Sequence, residues 1–206
     1  MNHFATIWFS PGSTIRHLLD TRPAKLFYPL AAVAGITTNL LQVVQRKVDV
    51  SSGFTVLEVF GVNIVVGAFY GIAMFSLMSY LLSGLGRLFG VRGSSQSART
   101  VLAWASVPQI PLFAVIILFF LVAGENLIYH SVSDLITGVK GTFLQIFSLI
   151  YYLVWWVLGI WTIVIGVTGL AEAFGISKLK TVLIYLLTLV VFVVFIWVGL
   201  FVWGLF

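Results

Sequence analysis

The chain has 206 residues, of which 61% are hydrophobic and 8% charged. Soluble domains run at about 45–50% apolar and about 25% charged, so this composition, with a mean hydropathy of +1.13, excludes a soluble globular domain. The net charge of +5 comes from bases scattered between apolar runs, which excludes a basic face that tracks nucleic acid, and zero cysteines exclude disulfides, thiolate metal sites and a cysteine nucleophile.

Five stretches carry no charge at all: Leu26–Gln45, Val59–Gly86, Thr100–Gly124, Gly141–Ala171 and Thr181–Phe206. A helix rises about 1.5 Å per residue, so roughly 20 residues cross a hydrocarbon core of about 30 Å. Each stretch is long enough for one span. The sequence therefore predicts an all-α polytopic membrane protein forming a single membrane domain over 1–206, with spans at 26–45, 60–86, 100–123, 143–168 and 181–205. The bases between the spans set orientation. Arg16, Arg22, Lys25, Arg87, Arg92, Arg99, Lys178 and Lys180 fall on one side, against Arg46, Lys47 and Lys140 on the other. The expected topology has a cytoplasmic N-terminus and an extracytoplasmic C-terminus.

In chain order, residues 1–25 form a cytoplasmic interfacial arm with no cleavable signal peptide expected. Ser10 before Pro11 reads as a helix start, since proline suits the first helical position. Ile15, Leu18 and Leu19 follow at helical spacing, and Trp8 and Phe9 suit the headgroup layer. The arm reads as an anchor that starts the fold, ahead of a helix that senses lipid. The first span is the least apolar, with Thr37, Thr38 and Asn39 as a possible intramembrane polar site. Asn39 is expected to face another helix, because an unpaired amide in hydrocarbon is expensive. Asn63 is a possible partner only at matching depth.

The second span holds Gly67 and Gly71, a GxxxG pair that lets another helix approach closely. Packing within the bundle is the favoured use, and self-association into a homo-oligomer the sharper one. Gly84 to Gly90 has glycine-loop spacing without a P-loop lysine and reads as a loose helix end. Pro108 and Pro111 release backbone carbonyls and are expected to bend the third span. Residues 125–139 place Leu127, Ile128, Val132, Leu135 and Ile136 on one stripe, predicting an amphipathic helix on the outer surface. The fourth apolar stretch exceeds one span, and its surplus is expected to feed an interfacial segment at Gly169–Ser177.

Catalysis is not expected. His3, His17 and His130 all lie outside the spans. There is no H-E-x-x-H, no facing pair of intramembrane aspartates, and no histidine at the depth a serine nucleophile would need. No cofactor and no metal site are expected. Transport would require a polar pathway, for which Asn39, Thr37, Thr38 and the carbonyls freed at Pro108 and Pro111 are the available groups.

Three stretches together resemble the Ypt-interacting protein (YIP) family in its short prokaryotic-type form. They are Trp8-Phe9-Ser10-Pro11 with Thr14-Ile15-Arg16 and Arg22-Pro23; Gly90-Val91-Arg92-Gly93-Ser94 through Arg99 to Trp104-Ala105-Ser106-Val107-Pro108; and Gly169-Leu170-Ala171-Glu172-Ala173-Phe174-Gly175-Ile176-Ser177-Lys178. The resemblance covers nearly the entire chain. It implies a five-helix domain with a cytoplasmic N-terminus, in a bacterial or archaeal plasma membrane. Eukaryotic members are implicated in vesicle traffic and bind small prenylated GTPases. This sequence departs from them in lacking a long soluble N-terminal region, and the resemblance carries over no catalytic residues.

The expected function is a non-enzymatic membrane scaffold or adaptor. It would act through its cytoplasmic face on a protein partner or anionic lipid, with the bilayer itself as its standing partner. Trp8, Pro11, Arg16, Arg92, Arg99, Trp104, Pro108, Lys178 and Lys180 are the residues expected to build or serve that face. The alternatives are a transporter or channel for a small solute or lipid, and a membrane-shaping or lipid-sensing protein.

Overall fold

A computed structural model describes residues 3–21, 26–45, 55–91, 93–123 and 142–203. Among these residues the chain is almost entirely helical, with no strand. The helices are α1 (His3–Phe9), α2 (Pro11–Thr21), α3 (Phe27–Gln45), α4 (Val56–Leu88), α5 (Ser95–Ala105), α6 (Gln109–Ala123), α7 (Thr142–Phe174) and α8 (Lys178–Trp203). Three of them, α3, α4 and α7, are long and apolar enough to cross a membrane, and α5 with α6 makes a fourth span if that bent pair is taken as one. The expected outer surface helix at 125–139 lies outside the described residues.

Local chemistry explains where the helices begin and end. α4 opens on a capping box: the Thr55 N–H donates to Glu58 Oε2 at 2.8 Å, and the Glu58 N–H donates back to Thr55 Oγ1 at 3.3 Å. α5 is capped by Ser94, whose hydroxyl accepts from the Ser97 N–H at 3.0 Å. α4 ends in a Schellman motif, in which the Val91 N–H reaches the Gly86 carbonyl and the Gly90 N–H reaches that of Arg87. Gly90 sits there at φ +73, where any side chain would be strained. The stretch expected to be a loose helix end is thus a defined cap.

α7 ends similarly, with Gly175 at φ +64 and the Ile176 N–H on the Ala171 carbonyl at 3.1 Å. The expected interfacial segment at Gly169–Ser177 is helical as far as Phe174. Nothing before Gly175 breaks the helix, so the surplus length stays in α7 and only Gly175–Ser177 leave it.

The third predicted span is divided at Ser106–Pro108, where α5 and α6 meet at a bend of 42°. Pro108 has no N–H for the Trp104 carbonyl and Pro111 none for that of Val107. The turn tightens in response: the Gln109 N–H binds the Ser106 carbonyl at 2.8 Å and the Ile110 N–H binds the Val107 carbonyl at 3.1 Å. Pro111 then falls in the first turn of α6, where a missing N–H costs nothing.

The chain divides into two compact units, which share α4 and α7 by covalent continuity. One comprises Tyr28–Ala73 and Ser106–Ile163. In it α3 and α4 touch backbone to backbone: a methyl on Gly35 would overlap the Gly67 carbonyl oxygen and the Gly71 backbone, and one on Gly67 would lie 2.7 Å from Ile36 Cα. Lipid tails are as apolar as leucine, so such close packing, rather than escape from water, holds helices together in a bilayer. Leu40, Val44, Leu112, Ile116, Phe119 and Tyr151 complete the core of this unit. Phe119 stacks on Phe147 at 5.6 Å and Phe60 meets Phe120 at 4.5 Å.

The other unit comprises Met1–Phe27, Met74–Ala105 and Val164–Phe206. Here α2 turns its apolar stripe inward. Ile15 and Leu18 are buried, and buried Thr14 donates its hydroxyl to the Ser10 carbonyl at 2.8 Å. Among the described residues of the arm, Phe4 and Phe9 leave large exposed apolar surface. That geometry makes α2 a packed part of its unit.

Candidate functional site

The polar side chains of this second unit gather where α2, the end of α4, the start of α5 and the α7–α8 junction are tied together. The first tie is an ion pair. Arg16 on α2 donates through Nε at 3.1 Å and Nη2 at 2.5 Å to the same oxygen, Oε2, of Glu172 on α7. The hydrogen bond to Glu172, and then its charge, hold the Arg16 guanidinium above its already high ordinary pKa. Gly12 opens the approach, since a Cβ there would come within 3.3 Å of Glu172 Oε1. The pair is solvent-exposed, so it orients α2 more than it stabilises it.

The second tie is aromatic. The Arg99 guanidinium lies 4.8 Å from the Tyr80 ring centroid and 5.7 Å from that of Phe27, and its Nη2 donates to Tyr80 Oη at 2.6 Å. The third is a cap on a cap: Lys180 Nζ donates to the Phe89 carbonyl at 3.1 Å. That bond brings the start of α8 to the Schellman turn that ends α4. Beside these ties, Trp104 is 5% exposed. Phe4 packs on it at 4.9 Å and His3 meets it edge-on at 6.2 Å. The His3 and His17 rings are 5.2 Å apart. Among the described residues no three His, Cys, Asp or Glu side chains cluster as metal ligands.

The Yip1 domain matches residues 5–200 of the 206-residue chain. The chain belongs to the Yip1 family. No curated protein and no solved structure matches it.

In this Yip1-family chain the residues singled out from sequence separate into distinct roles. Arg16 and Lys180 are exposed yet bonded within the chain, as is half-buried Arg99, whereas exposed Lys178 and Arg87 make no side-chain bond among the described residues. Arg92 lies outside the described residues. Trp104 is a buried support under α1, Trp8 is half-buried on α1, and Pro11 opens α2. Pro108 belongs to the other unit, buried in the α5–α6 break. Gly67 and Gly71 face Gly35 of the same chain.

The proposed intramembrane polar group is largely spent on its own backbone. Thr37 donates to the Val33 carbonyl at 2.7 Å, with a longer contact of 3.4 Å to that of Gln109, and Thr38 donates to Ala34 at 2.9 Å. Asn39 is half-buried. Asn63, the possible partner, donates to Val59 of its own helix at 2.8 Å.

Sequence reasoning missed Glu172 as the partner of Arg16, 156 residues away, and Tyr80 as the seat of Arg99. Neither pairing leaves a local signal. The nearest hint is that Glu172 is one of two acids, with Asp20, in stretches otherwise rich in bases.

Proposed function

We propose that this Yip1-family protein is a non-enzymatic membrane scaffold or adaptor that engages a cytoplasmic protein partner through the polar face described above. In this reading the chain crosses a plasma membrane five times. The fifth span is α8, 26 residues long and without charge after Lys180. The eight bases flanking one side against three on the other support a cytoplasmic N-terminus.

One observation carries the reading: the Lys180–Phe89 hydrogen bond sets two exposed basic–apolar pairs side by side. Arg87 and Leu88 end α4, while Lys178 and Leu179 begin α8. Leu88 and Leu179 are 80% and 74% exposed, and Phe89 between them is 48% exposed. A surface of bases interleaved with large apolar side chains suits an acidic amphipathic segment, with charge setting orientation and the apolar groups supplying contact area.

The test is a photo-crosslinker at Leu179 in native membranes, with and without the double reversal Arg87→Glu and Lys178→Glu. Neither base is engaged in the ties above, so the variant keeps the fold. Loss of the crosslinked protein adduct is expected. An unchanged adduct in correctly inserted protein contradicts the proposal.

A further inference from the structure

Arg99 differs from the other bases of this face. Its guanidinium is laid over the Tyr80 ring with Phe27 nearby, and only Nη2 has a hydrogen-bond acceptor, the Tyr80 hydroxyl. Its Nε is covered and has no hydrogen-bond partner. Among the described residues the ion pair is Arg16–Glu172, so no carboxylate there neutralises Arg99. The side chain is thus oriented, positively charged and short of acceptors.

Depth narrows what could supply them. α4 has 33 residues, about 50 Å at 1.5 Å per residue, and overhangs a hydrocarbon core of about 30 Å. Tyr80 lies about 12 Å from the Leu88 end of that helix, near the level where hydrocarbon gives way to headgroups. Phe27 begins α3, and Arg99 is in the second turn of α5, both at helix ends. Tyr80 is 56% exposed, so a flank of the arrangement is open. At this depth the abundant acceptors are lipid phosphates, and a guanidinium meets a phosphate through paired N–H donors.

We propose that Arg99, steadied by Tyr80 and Phe27, is a binding site for the headgroup phosphate of an anionic phospholipid. Stacking on the rings fixes the plane of the fork before the lipid arrives, which lowers the ordering cost of binding. The lipid brings the negative charge that the neighbouring protein groups do not. The site rests on the reading of this face as the membrane surface, and is independent of the protein partner proposed there.

The experiment is native mass spectrometry of the purified full chain, titrated with phosphatidylglycerol, phosphatidylcholine and inorganic phosphate. One phosphatidylglycerol should be retained preferentially. Arg99→Gln should weaken its retention about tenfold, the scale of losing a charge-assisted paired hydrogen bond. Arg99→Lys keeps the charge but not the planar fork and should also weaken it, whereas Arg87→Gln should leave it unchanged.

Should Arg99→Gln fail to fold, as read by gel filtration and a thermal melt, Arg99→Lys decides the matter. Three results would overturn the proposal: full retention in Arg99→Lys, equal loss in Arg87→Gln, or displacement of the lipid by inorganic phosphate or phosphatidylcholine. Loss of lipid in Arg99→Lys with an intact Leu179 crosslink in the Arg87→Glu, Lys178→Glu variant would sink the partner reading alone. The reverse pattern would sink the lipid site alone.

Discussion

The two units are held by different physics. In the unit of Tyr28–Ala73 and Ser106–Ile163, α3 and α4 meet through glycines, and the remaining core is aliphatic and aromatic contact. The other unit adds an ion pair, a guanidinium stacked on rings, a lysine on a turn carbonyl and two Schellman caps. Apolar packing of helices is tolerant of what lies on their outer surfaces. A polar arrangement fixed at named atoms is not, which is why interaction with a partner or a headgroup is placed in the second unit.

Substitutions can break this contrast at different strengths. The largest effect is expected in the polar unit, from Trp104→Ala. Removing a buried tryptophan from beneath Phe4 and His3 should cost about 3–5 kcal/mol, read by denaturant unfolding in detergent. A loss under about 1 kcal/mol would mean that α1 contributes little to this unit. Next comes Gly35→Ala in the apolar unit. A methyl against the Gly67 and Gly71 backbone should cost about 1–3 kcal/mol as the helices part. A neutral result would remove backbone contact as the basis of that unit.

The smallest effect is expected from a double-mutant cycle of Arg16→Gln and Glu172→Gln. The coupling should be small and should shrink further with added salt, because the pair is exposed. The raised Arg16 pKa carries a sign: its stabilisation is complete below the ordinary arginine value and lost only as pH climbs through the still higher folded value. Arg16 therefore brings no pH dependence in the physiological range. A large, salt-insensitive coupling would show that the ion pair anchors α2 rather than orienting it.

The apolar unit was the more legible of the two. Charge-free length announces helices such as α3, and the Gly67–Gly71 spacing announces a close approach, because both signals are local and periodic. The partner glycine, Gly35, was not legible, since an isolated glycine does not say what it faces. In the polar unit the motifs around Trp8, Arg99 and Gly169 are each local, and their mutual placement is hidden. Arg16 finds Glu172 across 156 positions, and no periodicity links them.

Lys180 and Arg87 look alike in a charge ledger, and both are exposed, yet only Lys180 is tied to a carbonyl among the described residues. Sequence counts charges and fold decides which are spent. The end of α7 carries a local mark of its own, the Schellman stop at Gly175, which apolar length by itself does not show.

Hydrogen exchange in lipid nanodiscs tests the central claim most directly, that α2 is built into the polar face. The amides of Arg16–Thr21 should exchange as slowly as those of buried α5, since Ile15 and Leu18 pack inside the same unit. Fast exchange across α2 beside a protected α5 would contradict it, making the arm a loosely held surface helix and removing one wall of the proposed platform.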